Sequence, residues 1–113
     1  MKTLAQLQQL LQQQINEKKQ HMIRLQQEAR ADEAVHCRIA LNVLEIFNTV
    51  AGVAQKQGSE ETAAVFFAKK LSDIPAEWKA AQQKAEAAGD DAAVFTQQLK
   101  LDAAALVTQL LQD

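Results

Sequence analysis

The first thirty residues carry apolar side chains at a regular helical spacing. Apolar residues recur three or four positions apart and are interrupted only at Lys18. The members of this stripe are Leu4, Leu7, Leu11, Ile15, Met22, Leu25 and Ala29. A spacing of about 3.5 to 3.6 residues is typical of an amphipathic helix or of one strand of a coiled coil. The pattern predicts a long amphipathic helix over residues 3–30.

Residues 33–57 are the most apolar part of the chain. One stripe is formed by Val35, Ile39, Val43, Ile46, Val50 and Val53, and it is widened by Leu41, Leu44, Phe47, Ala51 and Ala54. A helix with so broad an apolar face packs against neighbours on more than one side. We therefore place it at the centre of the fold. Asp32 can cap this helix at its N-terminus; if it does not, one helix runs from residue 3 to residue 57, and both versions stay open.

Glycine and capping residues predict two turns in the second half. Gly58 suits the left-handed position that follows a helix, and Ser59 is a favourable N-cap for the next one. Gly89 closes a later helix, and Asp90 or Asp91 can cap the last one.

Pro75 leaves two versions of the region before Gly89 open. Proline fits the first turn of a new helix, which Ser72 or Asp73 would cap. However, Phe67, Leu71, Ile74 and Trp78 keep helical spacing across Pro75, so a kinked continuous helix is the alternative.

The fold class that follows is all-α, with four to five helices in an antiparallel bundle and a long amphipathic N-terminal helix. The turns are short, and short turns force antiparallel neighbours. We expect one domain over residues 1–113, with an arm helix over 3–30 and a compact helical body over 33–111. The predicted core consists of Val35, Ile39, Val43, Leu44, Ile46, Phe47, Val50, Phe67, Leu71, Trp78, Phe95, Leu99, Leu106 and Leu110.

Charge and cysteine content limit the partners and the cellular compartment that we expect for the protein. The net charge of −2 is neither strongly basic nor strongly acidic. Cys37 is the only cysteine, so no disulfide can form within the chain, which fits a reducing cytoplasm. We see no signal peptide and no apolar run of about 20 residues that would span a bilayer.

Candidate chemistry is sparse. Glu33 and His36 lie three positions apart, on one helical face, and with His21 they form the best candidate metal site. His36 and Cys37 are adjacent, so on a helix they point about 100° apart and cannot form a nucleophile–base pair. Cys37 is expected to be a small buried side chain. A metal site of this kind needs two such motifs and two further inward glutamates, and His21 is the only other histidine. We therefore predict no metal site, no enzyme activity and no cofactor, and keep a metal-binding helical bundle as an alternative function.

An alternative function is association with nucleic acid through the basic residues of 18–38. These residues are Lys18, Lys19, Arg24, Arg30 and Arg38. Their spacing spreads them around the helix, and no aromatic side chains interleave with them for base stacking. We therefore expect nucleic acid not to be the partner.

The leading hypothesis is a protein–protein interaction module that binds through its first helix. A helix over residues 3–30 spans about 40 Å, and the shorter later helices cannot cover it if the first two stack end to end. We expect self-association or a partner helix to cover the stripe, and Phe66 to lie at the edge of the core, within a partner surface. The predicted binding residues are Leu4, Leu7, Leu11, Ile15, Met22, Leu25 and Phe66.

The hypothesis covers an adaptor, a chaperone, or an inhibitor or regulator of a larger assembly, in the cytoplasm and away from membranes. In size and composition the chain is similar to small bacterial secretion chaperones and phage-encoded helical inhibitors. That similarity covers no motif and assigns no residue.

Overall fold

Four α-helices joined by short turns make up the computed structural model, which describes residues 1–113. The helices are α1 (Leu4–Gln27), α2 (Ala31–Ala54), α3 (Glu60–Ala87) and α4 (Asp91–Gln112). Helix accounts for 87% of the residues and there are no strands, so the all-α prediction is confirmed.

The chain reverses direction between α1 and α2 over three residues. Ala29 has a positive φ of 58°. The Arg30 N–H donates to the Leu25 carbonyl at 2.9 Å and the Ala29 N–H to the Gln26 carbonyl at 3.2 Å, which is the Schellman pattern. The version with two separate helices is therefore right. Asp32 is not the cap, because α2 begins at Ala31 with Arg30 in the N-cap position and no side-chain capping bond.

The turn between α3 and α4 repeats this geometry with different residues. Gly89 has a φ of 70°. The Asp90 N–H donates to the Ala85 carbonyl at 2.9 Å, and the Gly89 N–H donates to the Glu86 carbonyl at 3.1 Å. The Asp90 carboxylate also accepts a hydrogen bond from the Ala93 N–H at 3.1 Å, so Asp90 is the cap.

The connection from α2 to α3 follows the prediction, whereas Pro75 does not end a helix. Gly58 has a φ of 102°, and the Ser59 hydroxyl accepts a hydrogen bond from the Thr62 N–H at 3.2 Å. Pro75 lies inside α3, so the continuous version is right and there is no fifth helix. Proline donates no hydrogen bond to the preceding turn, but Leu71 and Trp78 on either side of it pack against the core.

Helices α2 and α4 form the middle of the molecule. The most extensive contact is between α1 and α2, followed by α3 with α4 and α2 with α4, while α1 and α3 scarcely touch. Gln8 donates to the Asn48 carbonyl, which makes α1 and α2 antiparallel. Lys2, just before α1, donates to the carbonyls of Leu110 and Leu111 at the end of α4. The C-terminal ends of α2 and α4 therefore lie at the same end of the molecule, and the two helices run parallel.

The fold consists of two helical hairpins that match at a separation of sixty residues. The first hairpin is α1 with α2 and the second is α3 with α4; both turns fall at equivalent positions, Ala29 and Gly89. The burial pattern repeats as well. The buried positions Val43, Leu44 and Phe47 of α2 correspond to the buried positions Ala103, Ala104 and Val107 of α4.

The core is thin for a chain of this length. The radius of gyration is 15.3 Å, against about 13 Å for a compact domain of this length. Only 19 of the 113 residues are buried, so much apolar surface lies near solvent. The centre of the core is Phe47, whose ring centroid lies 6.4 Å from that of Phe67 and 6.3 Å from that of Trp78.

The prediction of burial is wrong for three residues of the predicted core. Val35, Ile46 and Phe95 are 57%, 39% and 49% exposed. Successive helical residues turn by about 100°, and Val35 and Ile46 lie on the side of α2 that faces away from the other helices. Val43, Leu44, Phe47 and Phe67 are buried as predicted. The remaining predicted residues are partly buried: Ile39, Val50, Leu71, Trp78, Leu99, Leu106 and Leu110.

Candidate interaction surface

The apolar stripe of α1 is covered by the chain itself. Leu7 and Leu11 are fully buried, and Ile15 and Leu25 are each 3% exposed. Leu4, Met22 and Phe66 are partly buried and pack against the core. The expectation that this stripe stays uncovered is wrong, because α2 folds back antiparallel along α1 and does not continue it end to end. The predicted arm over residues 3–30 is thus packed within the bundle.

The side chains around Cys37 and His36 are engaged in packing. Cys37 is buried, as predicted, and its Sγ donates to the Lys18 carbonyl at 3.3 Å. Half-buried His36 places its ring 4.9 Å from the ring of Phe95, in an edge-to-face arrangement. This contact holds the N-terminal ends of α2 and α4 together.

Glu33, the carboxylate of the metal hypothesis, is paired with Arg30. The Arg30 guanidinium donates through Nη2 to Glu33 Oε1 at 2.7 Å and through Nε to Oε2. These hydrogen bonds lower the pKa of Glu33, and the positive charges of Arg30, His21 and His36 lower it further. The same bonds raise the pKa of Arg30. No group of three or more His, Cys, Asp or Glu side chains is placed to hold a metal ion.

The basic residues of the nucleic-acid hypothesis differ in their exposure and in whether they form ion pairs. Arg30 is paired with Glu28 and Glu33. Lys18 is partly buried, while Lys19, Arg24 and Arg38 are exposed. Arg30 is thus the one cation of the five that forms ion pairs within the chain.

A row of mostly exposed residues runs along the outer side of α2, which we call the α2 stripe. It consists of the exposed residues Val35, Asn42, Ile46, Thr49 and Val53 and of Ile39, which is partly buried. The spacing alternates between four and three residues. Val53 is 43% exposed, in addition to the exposed Val35 and Ile46 described above. Such a row of valine and isoleucine on an open helical face is typical of a surface that packs against another helix.

The middle of the α2 stripe has an open depression bordered by charged residues. Asn42, Glu45, Ile46, Thr49 and Val50 line a shallow hollow. The first four of these have the spacing of the hole into which a side chain of a facing helix inserts in a coiled coil. Arg38 and Glu45, seven residues apart at one edge of the stripe, are exposed and take part in no ion pair within the chain.

The other exposed apolar residues do not form a comparable row. Val65 is 70% exposed on α3, but its neighbours on that face include Glu61, Lys69 and Ser72. Single apolar side chains on a surface are normal and need no partner.

The matching face of α4 is also less apolar than the α2 stripe. Phe95, Leu99 and Leu106 of α4 correspond to apolar residues of the α2 stripe. The remaining counterparts are polar: Asp102, Gln109 and Asp113 stand where α2 has Asn42, Thr49 and Val53.

Comparison of the chain with protein-family models, with curated proteins and with solved structures finds no match. The function must therefore be argued from this chain's own surface.

α2 is also the one helix that is long and apolar enough, by length and composition, to cross a membrane, with a mean hydropathy of 1.3 in its most apolar window. Such a window was not expected from the sequence. A buried core helix passes the same test, and α2 has eight buried residues, more than any other helix here.

The α2 stripe was not predicted as a separate surface, although the sequence contains a signal for it. In the sequence pattern, Val35, Ile46 and Val53 belong to the same broad apolar face as the inward-facing residues. The polar residues Asn42 and Thr49, which fall within the three–four repeat, mark the row as one that contacts solvent.

Proposed function

We propose that this protein is a small protein–protein interaction module that self-associates and acts through the α2 stripe. The observation that supports this most directly is the exposure of Val35, Ile46 and Val53 in one row on the helix that has the most buried residues. Apolar side chains gain free energy when a second surface removes them from water. The module would act as an adaptor, a chaperone, or an inhibitor of a larger assembly, in the cytoplasm.

The α2 stripe supports binding better than α1 does. Leu7, Leu11 and Ile15 hold α1 against α2, so α1 could bind a partner only after the first hairpin opened. The α2 stripe lies on the outside of the folded chain. Binding there leaves the core intact.

The groups that could have suggested catalysis are instead occupied in packing. Cys37 is buried with its thiol on a backbone carbonyl, His36 packs edge-to-face on Phe95, and Glu33 is paired with Arg30. We therefore propose a binding role and no enzyme activity.

A photo-crosslinking side chain placed along α2 tests this proposal. We would insert it at Ile46 and at Val53, and as controls at Val65 and at Gln109, which are exposed on α3 and α4. Irradiation of cells that produce the full chain should give covalent protein adducts at the two stripe positions and not at the controls. Equal adduct yield at all four positions, or none at the stripe, would contradict the proposal.

A further inference from the structure

We infer that the α2 stripe from Val35 to Ile46 is covered by the same segment of a second copy of this chain, with the two α2 helices antiparallel. This inference rests on the proposed function and adds the identity and orientation of the partner. It is carried by the spacing of the stripe, by the two unpaired charges beside it and by the neutral residue at its centre.

The spacing of the α2 stripe is that of a heptad seam. Ile39, Ile46 and Val53 occupy one core position of the heptad, and Val35, Asn42 and Thr49 occupy the other. In a coiled coil these two positions face the partner helix, and side chains of each helix insert between four residues of the other. The open hollow around Ile46 is one such receiving site.

The charges beside the seam set the direction of the partner. Arg38 and Glu45 occupy successive positions of the same flank, just before Ile39 and Ile46. When the partner helix runs in the opposite direction, this flank faces the same flank of the second copy. Arg38 of each copy then lies beside Glu45 of the other, and two ion pairs form across the interface. Both residues are exposed and have no ion-pair partner within the chain.

A parallel arrangement would not use these charges. In a parallel pair this flank faces the opposite flank of the partner, where α2 has Val43 and Val50. Val43 is 2% exposed and belongs to the core of its own chain. Arg38 and Glu45 would then have no opposite charge to meet, so the antiparallel arrangement is favoured.

The centre of the antiparallel pair is occupied by a neutral amide. With Arg38 beside Glu45, Val35 of one copy comes opposite Ile46 of the other, and Ile39 opposite Asn42. Thr49 and Val53 then face the first turn of the partner's α2 and the residues before it, so the paired segment runs from residue 35 to residue 46. The two Asn42 side chains then lie near the two-fold axis, where an amide can both donate and accept hydrogen bonds. The equivalent residue of α4 is Asp102, and two carboxylates in this place would repel each other. The α2 face is therefore suited to self-pairing, whereas the matching face of α4 is not.

Charge reversal tests the pairing of Arg38 with Glu45. Arg38→Glu or Glu45→Arg alone places like charges together twice in each dimer, and we expect each to weaken dimerisation by about tenfold. The double variant restores opposite charges and should return the dissociation constant to within about threefold of the original. Sedimentation equilibrium of the full chain over a micromolar to millimolar series measures these constants.

Two controls separate this effect from a loss of folding. Both charged residues are exposed, so circular dichroism and thermal melts of the three variants should match those of the parent chain. Gln109→Glu, on the corresponding face of α4, should leave the dissociation constant unchanged. A parent chain that stays monomeric over the whole series would overturn the inference, as would a double variant no tighter than the single ones.

Disulfide trapping tests the orientation. In a Cys37→Ala background, Val35→Cys and Ile46→Cys chains of different tag length are mixed and oxidised. The antiparallel arrangement predicts mostly mixed disulfides between residues 35 and 46, whereas a parallel arrangement predicts disulfides between identical positions. A majority of identical-position disulfides would overturn the inferred orientation.

The photo-crosslinking result distinguishes failure of this inference from failure of the proposed function. An adduct at Ile46 with the mass of two copies supports the second-copy partner. An adduct with a different protein would contradict the second-copy inference but agree with the proposed interaction module. The absence of any stripe-specific adduct would contradict both the inference and the proposed function. If the chain bound to vesicles and the side chain at Ile46 formed an adduct with lipid, the inferred second-copy partner would likewise be overturned, in favour of a membrane surface.

Discussion

The two hairpins of this protein share one turn geometry but are held together by different side chains. The first hairpin contains twelve of the nineteen buried residues and the second contains seven. The buried side chains of α1 are leucines and an isoleucine, whereas α3 buries two alanines, Phe67 and Gln82. The same fold unit is therefore built once with a large apolar contact and once with a small one.

At the turns, by contrast, the second hairpin has the more favourable local residues. The second hairpin has glycine at the position with positive φ and an aspartate cap after it. Polar links between the helices occur in both hairpins: Gln82 donates to the Val94 carbonyl at 3.2 Å and to Gln98 at 2.9 Å in the second, and Gln8 donates to the Asn48 carbonyl in the first. The first hairpin has Ala29 and Arg30 at the turn and no side-chain cap.

The difference indicates that side-chain packing imposes the first turn, whereas local backbone chemistry favours the second. An L-residue with a Cβ in the left-handed region costs about 1 kcal/mol or more, and the buried leucines of α1 offset that cost. The surplus of apolar residues in α2 serves two purposes: one side covers α1 and the centre of the bundle, and the other side forms the α2 stripe.

Removing the ring at the junction of the two hairpins should have the largest effect. Phe47 is fully buried and contacts the rings of Phe67 and Trp78 in the second hairpin. We expect Phe47→Ala to lower the free energy of unfolding by about 3–5 kcal/mol, measured by urea denaturation. Val65→Ala, at an exposed position, should change it by less than about 0.5 kcal/mol. A loss below about 1 kcal/mol for Phe47→Ala would mean that the hairpins do not meet there.

Truncation of Leu7 tests whether packing holds the first hairpin closed. Because Leu7 is fully buried, we expect Leu7→Ala to cost about 2–4 kcal/mol. The matched control is Ile23→Ala, since Ile23 lies on the same helix and is 50% exposed. If the two variants lost equal stability, α1 would not be packed on α2 through its apolar stripe.

Much of the second hairpin could be predicted from the sequence because its signals are local. Gly58, Ser59, Gly89 and Asp90 each act on their own backbone, and the structure places all four where the sequence indicated. Phe47 could be placed at the centre because it lies in the middle of the most apolar segment. Local chemistry and composition suffice for such features.

The first hairpin and the α2 stripe could not be predicted in the same way. Alanine carries no signature of a positive φ, so nothing in the sequence near Ala29 marks a reversal. Without the reversal, the stripe of α1 has no partner within the chain, and the sequence therefore predicts a binding surface there. For the α2 stripe, Asn42 and Thr49 give a local sign that the row contacts solvent. How far Val35 and Ile46 are left open depends on where α1, α3 and α4 lie around α2, which is tertiary information.

Exchange of the residues at the two turns should have opposite effects in the two hairpins. Gly89→Ala puts a Cβ into the left-handed region and should cost about 1 kcal/mol. Ala29→Gly relieves the same strain and should stabilise the protein by up to about 1 kcal/mol, reduced by the greater freedom of glycine in the unfolded chain. Thermal and urea unfolding of both variants measures the difference. If Ala29→Gly were destabilising, the turn at Ala29 would not have the left-handed geometry described.

Replacement of the residue at the N-cap position should also cost more stability in the second hairpin than in the first. Asp90→Ala removes a carboxylate that accepts from the Ala93 N–H, and such a loss costs about 1 kcal/mol. Arg30 provides no cap, so Arg30→Ala should leave the stability close to that of the parent chain. Equal losses for the two variants in a urea series would show that the exposed ion pairs of Arg30 do as much for the first turn as a cap does for the second.

The smallest expected effect concerns the pH dependence of the first turn. Hydrogen bonds from Arg30 lower the pKa of Glu33 below its ordinary value of 4.5. A carboxylate whose pKa is lower in the folded chain stabilises that chain above its ordinary pKa, and the stabilisation is lost as the pH falls through the folded value. Because the pair is exposed, the change in stability should be slight, and the Glu33 side-chain carboxyl shift in an NMR titration is the better measurement. We expect its midpoint to lie below 4.5 in the parent chain and to rise towards 4.5 in Arg30→Ala, and an unchanged midpoint would show that Arg30 does not hold Glu33 in solution.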